Sequence, residues 1–403
     1  MSETIFEPGR ELPVSSECDV LVCGGGVAGI AAALSAARNG ARVTLLEREF
    51  MLGGLGTLGL VTIYLPLCDG KGHQVSFGIA EELFRLSIER GVVEGRYPKA
   101  WLESGTLEEK IANRFQVQYN PHIFAVDAER VLLAEGVHIL YGTIAAQTVV
   151  EDGKITAVIV ENKSGRSAIR VKSVVDATGD ADVCALSGAD CAVHGLGNVL
   201  AAWYYRYTKE KGVQLKMLGC SDIPEEYHTG KEQYLTDRRF GGIDAQEISE
   251  MVQQAHQISL ADAMKLRETD PTAVPVIYPT IPQLRMTRRI AGIATPDDKP
   301  THVYVPDSIG MIGDWRKRGP VYELPFACLY GGKVKNLITA GRCISVTDSM
   351  WDITRVIPVC AVTGEAAGAA AAMSDDFASL NVASLQERLV RGGVKLHCAD
   401  VGL

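Results

Sequence analysis

Apolar positions follow three different rhythms along this chain. Asp19-Val-Leu-Val-Cys23 is a short β-branched, apolar run, followed by a glycine cluster and an alanine-rich stretch reaching Asn39. Gly40 ends that stretch as a residue just past a helix does. A second run, Arg42 to Leu46, then closes a predicted βαβ unit of about 30 residues. Ser76 to Glu89 has the period of an amphipathic helix, with Phe77, Ala80, Leu83, Phe84 and Ile88 on one face. From Val137 to Val175 the spacing changes to strands separated by Glu151-Asp-Gly-Lys154 and Lys163-Ser-Gly-Arg166. Both are turn signals in which glycine supplies a positive φ, and they predict a three-stranded β-meander. Residues from about 195 to 300 differ again, with an aromatic cluster (Trp203, Tyr204, Tyr205, Tyr207) and a helix start at Asp244, three residues before Glu247. The first pattern returns in the strand Asn336 to Ala340 and in an Ala/Gly-rich helix after Pro358.

Strands alternating with helices predict an α/β fold with a parallel sheet. The 403 residues divide on this reading into 1–195, an inserted α+β segment 196–300, and 301–403, which rejoins the first part. The longest apolar stretch, Val20 to Ala37, has the length of a membrane span but holds four glycines and a strand-to-helix break, so no membrane span is expected. A net charge of -9 and the lack of any run of five Lys/Arg argue against nucleic-acid partners. The ten cysteines contain no C-x-x-C pair, which removes the common zinc, iron–sulfur and dithiol spacings, and no metal is expected. The acidic N-terminus does not resemble a signal peptide, so a cytoplasmic protein with free thiols is expected.

G-x-G-x-x-G occurs at Gly24, Gly26 and Gly29 between a strand and a helix. The first glycine permits the turn, the second lets backbone approach a pyrophosphate, and the third allows close helix–strand packing. Phosphates would then meet the amides of Val27 and Ala28 at the helix N-terminus. Glu47 ends the next strand, 21 residues after Gly26, where a carboxylate can accept from ribose hydroxyls. Gly54, Gly56 and Gly59 repeat the spacing without a preceding strand, so only the first match carries the dinucleotide reading.

Further runs decide between dinucleotides: Leu52-Gly-Gly-Leu-Gly-Thr57, Val174-Val-Asp-Ala-Thr-Gly-Asp180, Met286-Thr-Arg-Arg-Ile290, Asn336-Leu-Ile-Thr-Ala-Gly-Arg342 and the segment Arg355 to Gly368. With the N-terminal unit they resemble the FAD-dependent oxidoreductases of the glutathione-reductase-like Rossmann superfamily, distantly related to fumarate reductase flavoproteins. The resemblance is weakest between about 200 and 280. It implies noncovalent FAD, a Rossmann-like FAD-binding domain and a substrate domain in 196–300. By position, Glu47 and Arg48 take the adenosine side, and the loop with Gly53, Gly54, Gly56 and Thr57 lies along pyrophosphate and flavin. Ala145 contacts adenine through its backbone, Ala177, Thr178 and Gly179 end a strand beside the cofactor, and Gly341 and Arg342 reach the pyrophosphate or ribityl chain. Amides near Val359 and Cys360 face the flavin O2 edge.

The reacting groups are less determined. Arg288 and Arg289 fall at the end of an expected strand, Pro282 to Arg289, whose alternation turns only one of them into the cleft. Either they bind a substrate carboxylate or relay a proton, or they pair structurally with Asp297 or Asp298. His73, His302 and Asp348 are further candidates, and Tyr204, Tyr205 and Arg206 either line the pocket or belong to the core. G-x-S-x-G, P-loop and H-E-x-x-H motifs are absent. The expected activity is hydride transfer between flavin N5 and a small organic substrate. Two alternatives stay open: a flavin subunit passing electrons to a protein partner, and a structural or RNA-modifying FAD protein. A homo-oligomer is compatible with all three.

Overall fold

A computed structural model describes residues 4–91, 97–219 and 233–403. The chain enters through β1 (Val14–Cys23), which starts five residues before the apolar run read from the sequence because its exposed first half pairs with residues 168–171. It continues through α1 (Val27–Arg38) and β2 (Val43–Leu46). After α2 (Ile79–Glu89) come β3 (His138–Leu140) and the meander β4 (Ile144–Glu151), β5 (Lys154–Asn162) and β6 (Gly165–Asp176). The strand order β3-β2-β1-β6-β5-β4 joins parallel pairs on one side of β6 to the antiparallel meander on the other. The expected start of α2 at Ser76 moves to Ile79, because Gly78 has φ +63, outside the helical region.

Beyond the short α3 (Asp182–Leu186) and β7 (Cys191–Val193), β8 (Tyr204–Thr208), β9 (Gly212–Lys216) and β10 (Val274–Ile277) form a separate three-stranded sheet. Helix α4 (Ala245–Arg267) accompanies it and begins as the sequence implied, with Asp244 accepting from the Glu247 amide at 2.9 Å. The Glu247 carboxylate accepts from Gly242 N at 3.0 Å, so it ties down the loop before the helix. The strand expected over Pro282–Arg289 shrinks to β11 (Arg288–Ile290), which pairs with β7; residues before it pack as irregular wall.

The return to the main sheet is β12 (Leu337–Thr339), parallel to the end of β6. Then α5 (Asp348–Thr354) meets α6 (Ile357–Met373) at a 92° bend. Almost every residue of α6 is buried, because it lies directly on α1. Small residues make that approach possible: a Cβ on Gly364 would sit 2.3 Å from Ala28 O, and one on Gly368 2.1 Å from Ala32 O. Among the described residues no single helix is long and apolar enough to cross a membrane.

Candidate functional site

The C-terminal ends of β1, β2 and β6 open onto one cavity of about 630 Å³. Gly24, at φ +104, turns the chain where a Cβ would strike Ala177 O at 2.5 Å, so the ends of β1 and β6 are in backbone contact. Gly29 allows α1 to close on that turn, since its Cβ would fall 1.8 Å from Gly24 O. Gly26 is the opposite case: a Cβ there would meet nothing within 4 Å, and its bare Cα faces the cavity. It caps α1, whose first intrahelical bond is Ile30 N to Gly26 O at 2.9 Å, leaving the amides of Val27, Ala28 and Gly29 without helical acceptors.

At the end of β2, Glu47 is buried and accepts from Gly25 N and Glu49 N, each at 2.8 Å. Burial raises its pKa, and the two amides oppose that shift. Arg48 is half-exposed and pairs loosely with Glu49 at 3.7 Å. Gly53, at φ +101, donates to Gly25 O at 2.8 Å, which draws the second glycine loop across the first. Thr57 stands behind that loop and donates to Leu52 O at 2.6 Å, while Tyr119 holds Gly56 O at 2.7 Å. Thr57 and Gly29 therefore shape the cavity from behind and do not line it.

On the β6 side, buried Asp176 accepts from both the amide and the hydroxyl of Thr178, fixing the turn into Gly179. Arg342 lies across Gly179, where a Cβ would be 2.5 Å from its Nη2, and pairs with Asp180 at 3.0 Å. Gly341 donates to Thr363 Oγ1 at 3.0 Å, so the β12 end is tied to α6. Ala145 lines the cavity from the meander together with Thr143 and Ile144. Leu55, Ile281, Pro282, Leu284 and Ile357 supply apolar lining.

The N-terminus of α6 differs in detail from expectation. Its cap is Val356, so the Cys360 amide is already spent on Val356 O at 2.9 Å, and only Ile357 and Val359 retain amides without intrahelical partners. Cys360 lines the cavity and Val359 does not. Burial pushes the Cys360 thiol up to about 12.

Of the five candidate reacting groups only Arg288 lines the cavity, and His302 lies outside it, its amide bonded to Val321 O at 2.9 Å. Its Nη2 pairs with Asp182 Oδ1 at 2.7 Å and its Nε donates to Asp180 O at 2.9 Å. Arg289 turns to the other face of β11, over the Trp351 ring at 5.6 Å and beside Ser345 Oγ at 3.5 Å. Burial lowers its pKa, with Asp348 opposing. Neither arginine takes the acidic partners expected from sequence, because Asp298 is committed to buried Arg316 at 2.9 Å. Asp348 lies 3.3 Å from His194, and His73 is held by Asp69 at 2.9 Å; both stand outside the cavity lining. Tyr204 and Arg206 are pinned to Asp262 of α4, and Tyr205 to Thr62, so this aromatic strand packs rather than lines. Asp180, Asp182 and Arg355 also line the cavity, although sequence reasoning assigned them no role. The available signal was their position: Asp180 closes the Ala-Thr-Gly run, Asp182 follows it by two residues, and Arg355 opens the α6 segment.

Amides at a helix N-terminus, a bare Cα facing open space and a carboxylate at the next strand end suit a dinucleotide. A family model described as FAD dependent oxidoreductase matches residues 19–199 and 297–389. No curated protein matches the chain. Among solved structures, p-nitrophenol 4-monooxygenase from Pseudomonas putida aligns over 93% of this chain and 84% of its own, with 13% identity and a TM-score of 0.51, a likeness of fold. A geranylgeranyl bacteriochlorophyll reductase-like protein from Thermoplasma acidophilum aligns over 94% and 84%, at 15% identity and TM-score 0.44. A flavocytochrome c3 fumarate reductase aligns over 89% and 78%, at 14% and 0.40. The chain belongs to the FAD dependent oxidoreductase family, and its cofactor is FAD.

Proposed function

We propose that this enzyme holds FAD noncovalently along the cavity and uses it to oxidise or reduce a small organic substrate beside the apolar lining. Bound FAD supplies a hydride acceptor or donor at N5. The chain supplies the rest. Glu47 and Arg48 hold the adenosine side, the α1 amides and Arg342 the diphosphate, and the Gly53–Gly56 loop and the start of α6 the flavin side.

The reading is carried by the mixed lining of the cavity, which joins charged groups (Glu47, Arg48, Arg342) to apolar side chains (Leu55, Ile281, Pro282, Leu284). Ile281, Pro282 and Leu284 belong to segment 196–300, which we assign as the substrate-facing unit. Its wall excludes water and favours a substrate with substantial apolar surface. The test is an anaerobic panel of alcohols, amines and activated alkenes mixed with oxidised or pre-reduced holoenzyme. Change in flavin absorbance with one class fixes substrate and direction. A panel that leaves both forms unchanged, with reduction by a protein donor alone, overturns the small-substrate reading in favour of an electron-transfer subunit.

A further inference from the structure

The cavity that must receive a dianionic diphosphate is lined by four carboxylates; besides Glu47 and Glu49 at the β2 end, Asp180 and Asp182 are each closely paired with an arginine that also lines it. The two pairs stand side by side on the turn that follows β6. Arg342 reaches Asp180 from the β12 side, and Arg288 reaches Asp182 from β11. Backbone pairing of Arg288 with Val193 fixes the base of that side chain, and strand alternation sends its head into the cavity and that of Arg289 away. Asp180 is held three ways, by Arg342, by the Thr287 hydroxyl at 2.7 Å and through its carbonyl by Arg288. Asp182 has a single ion-pair partner, and 44% of its side chain is accessible, on a residue that lines the cavity. It is therefore the carboxylate that can be displaced.

Resting on the placement of FAD in this cavity, we infer that Arg288 is a ligand for the diphosphate side of the cofactor and that Asp182 is its internal stand-in, released when FAD binds. Arg288 gives Asp182 a single bond, through Nη2, while Nε stays on Asp180 O, so Nη2 can donate to a phosphate oxygen instead without a net loss of hydrogen bonds to Arg288. The cost falls on Asp182. Its carboxylate faces Asp180 and Asp176 as like charges, with Arg288 and Arg48 opposing. Glu47, Glu49, Arg342 and Arg355 line the same cavity. Partial burial of this half-accessible carboxylate, then Asp180 and Asp176, already raise Asp182 to about 6 before any phosphate arrives. Losing Arg288 and gaining a dianion both favour its protonated form, so FAD binding takes up a proton at this position.

The experiment is FAD release from holoenzyme after dilution, followed by the rise in free-flavin fluorescence, with melting recorded in parallel. Wild type is expected to hold FAD more tightly at about pH 5 than at about pH 8, with affinity falling by up to about tenfold per pH unit above about 6. Asp182→Asn, which keeps shape and an acceptor for Arg288, is expected to hold FAD at about pH 8 as wild type does at about pH 5, with a flattened profile. Arg288→Gln should lose about tenfold or more in affinity, and Arg288→Lys should recover part of it. The inference is overturned if Asp182→Asn binds FAD no more tightly than wild type at the higher pH. It is equally overturned if Arg288→Gln retains FAD like wild type. A merely structural pair would weaken FAD in Asp182→Asn at every pH, in step with a lower melting temperature. Acid extraction of wild type separates a failure of the cofactor reading, which alone predicts no FAD in the extract.

Discussion

Glu365 lies in the middle of α6, only 4% exposed, and its Oε2 accepts the Ile79 amide at 2.8 Å, so one carboxyl caps the start of α2 across the core. Burial pushes it from 4.5 up to about 8, with that amide and Arg38 opposing and Glu82 adding to the rise. Between those values the unfolded chain has released this proton and the folded chain has not, so stability falls as pH rises through the window and levels off above about 8. Glu365→Gln keeps an acceptor for Ile79 and removes the penalty; its melting temperature relative to wild type should rise from about pH 5 to about pH 8. A constant difference across that range would show that Glu365 is ionised in the core. Gly26 gives the complementary case. A Cβ there meets no protein atom within 4 Å, so Gly26→Val should fold with near-normal melting and yet purify without flavin, the outcome expected when pyrophosphate approaches the bare Cα. Arg288 and Arg289 separate in the same manner: Arg289→Ala, facing Trp351, should lower the melting temperature with FAD retained, whereas Arg288→Ala should lose FAD first.

At the level of elements, α1 and α6 are in contact along their length because glycine and alanine let their backbones approach. Gly364→Val drives methyls into Ala28 O and Gly368→Val into Ala32 O, so each should destabilise by more than the usual ~1–3 kcal/mol of overpacking, since the opposing atoms are backbone and cannot rotate away. Urea unfolding checks this; an unchanged midpoint would mean the helices separate at little cost. These elements were readable in the sequence wherever the signal is local. The Gly24–Gly29 turn, the meander with its two glycine turns, Asp244 as a cap and the helix after Pro358 all rest on neighbours a few residues apart. Two expectations failed for separate reasons. Gly78 stops α2 from starting at Ser76 through its own φ. Pro282 to Thr287 looks like a strand by composition but forms none, and its Pro282 and Leu284 line the cavity instead.

Over the whole molecule, the partners of the site came from distances that sequence patterns do not span. Alternation correctly separates Arg288 from Arg289, yet Asp182 lies 106 residues away from Arg288, and Asp297 and Asp298, nearer in sequence, are not its partners. The glycine loops and Glu47 were legible because they form one local unit, while the apolar wall and the carboxylate pair arise only when 281–288 folds against the β6 end. The paired carboxylates also bear on how the protein comes into being. A nascent chain that had to gather Arg288 and Arg342 around nothing would carry uncompensated charge in its interior until cofactor arrived, and maturation would wait on supply. With Asp180 and Asp182 in place, those charges are satisfied beforehand, so the polypeptide can complete its fold alone and take its flavin afterwards. Refolding from urea without FAD should therefore give a cooperative melt and full later uptake of added FAD; a chain that refolds only when FAD is present would show that the paired arginines do need the cofactor.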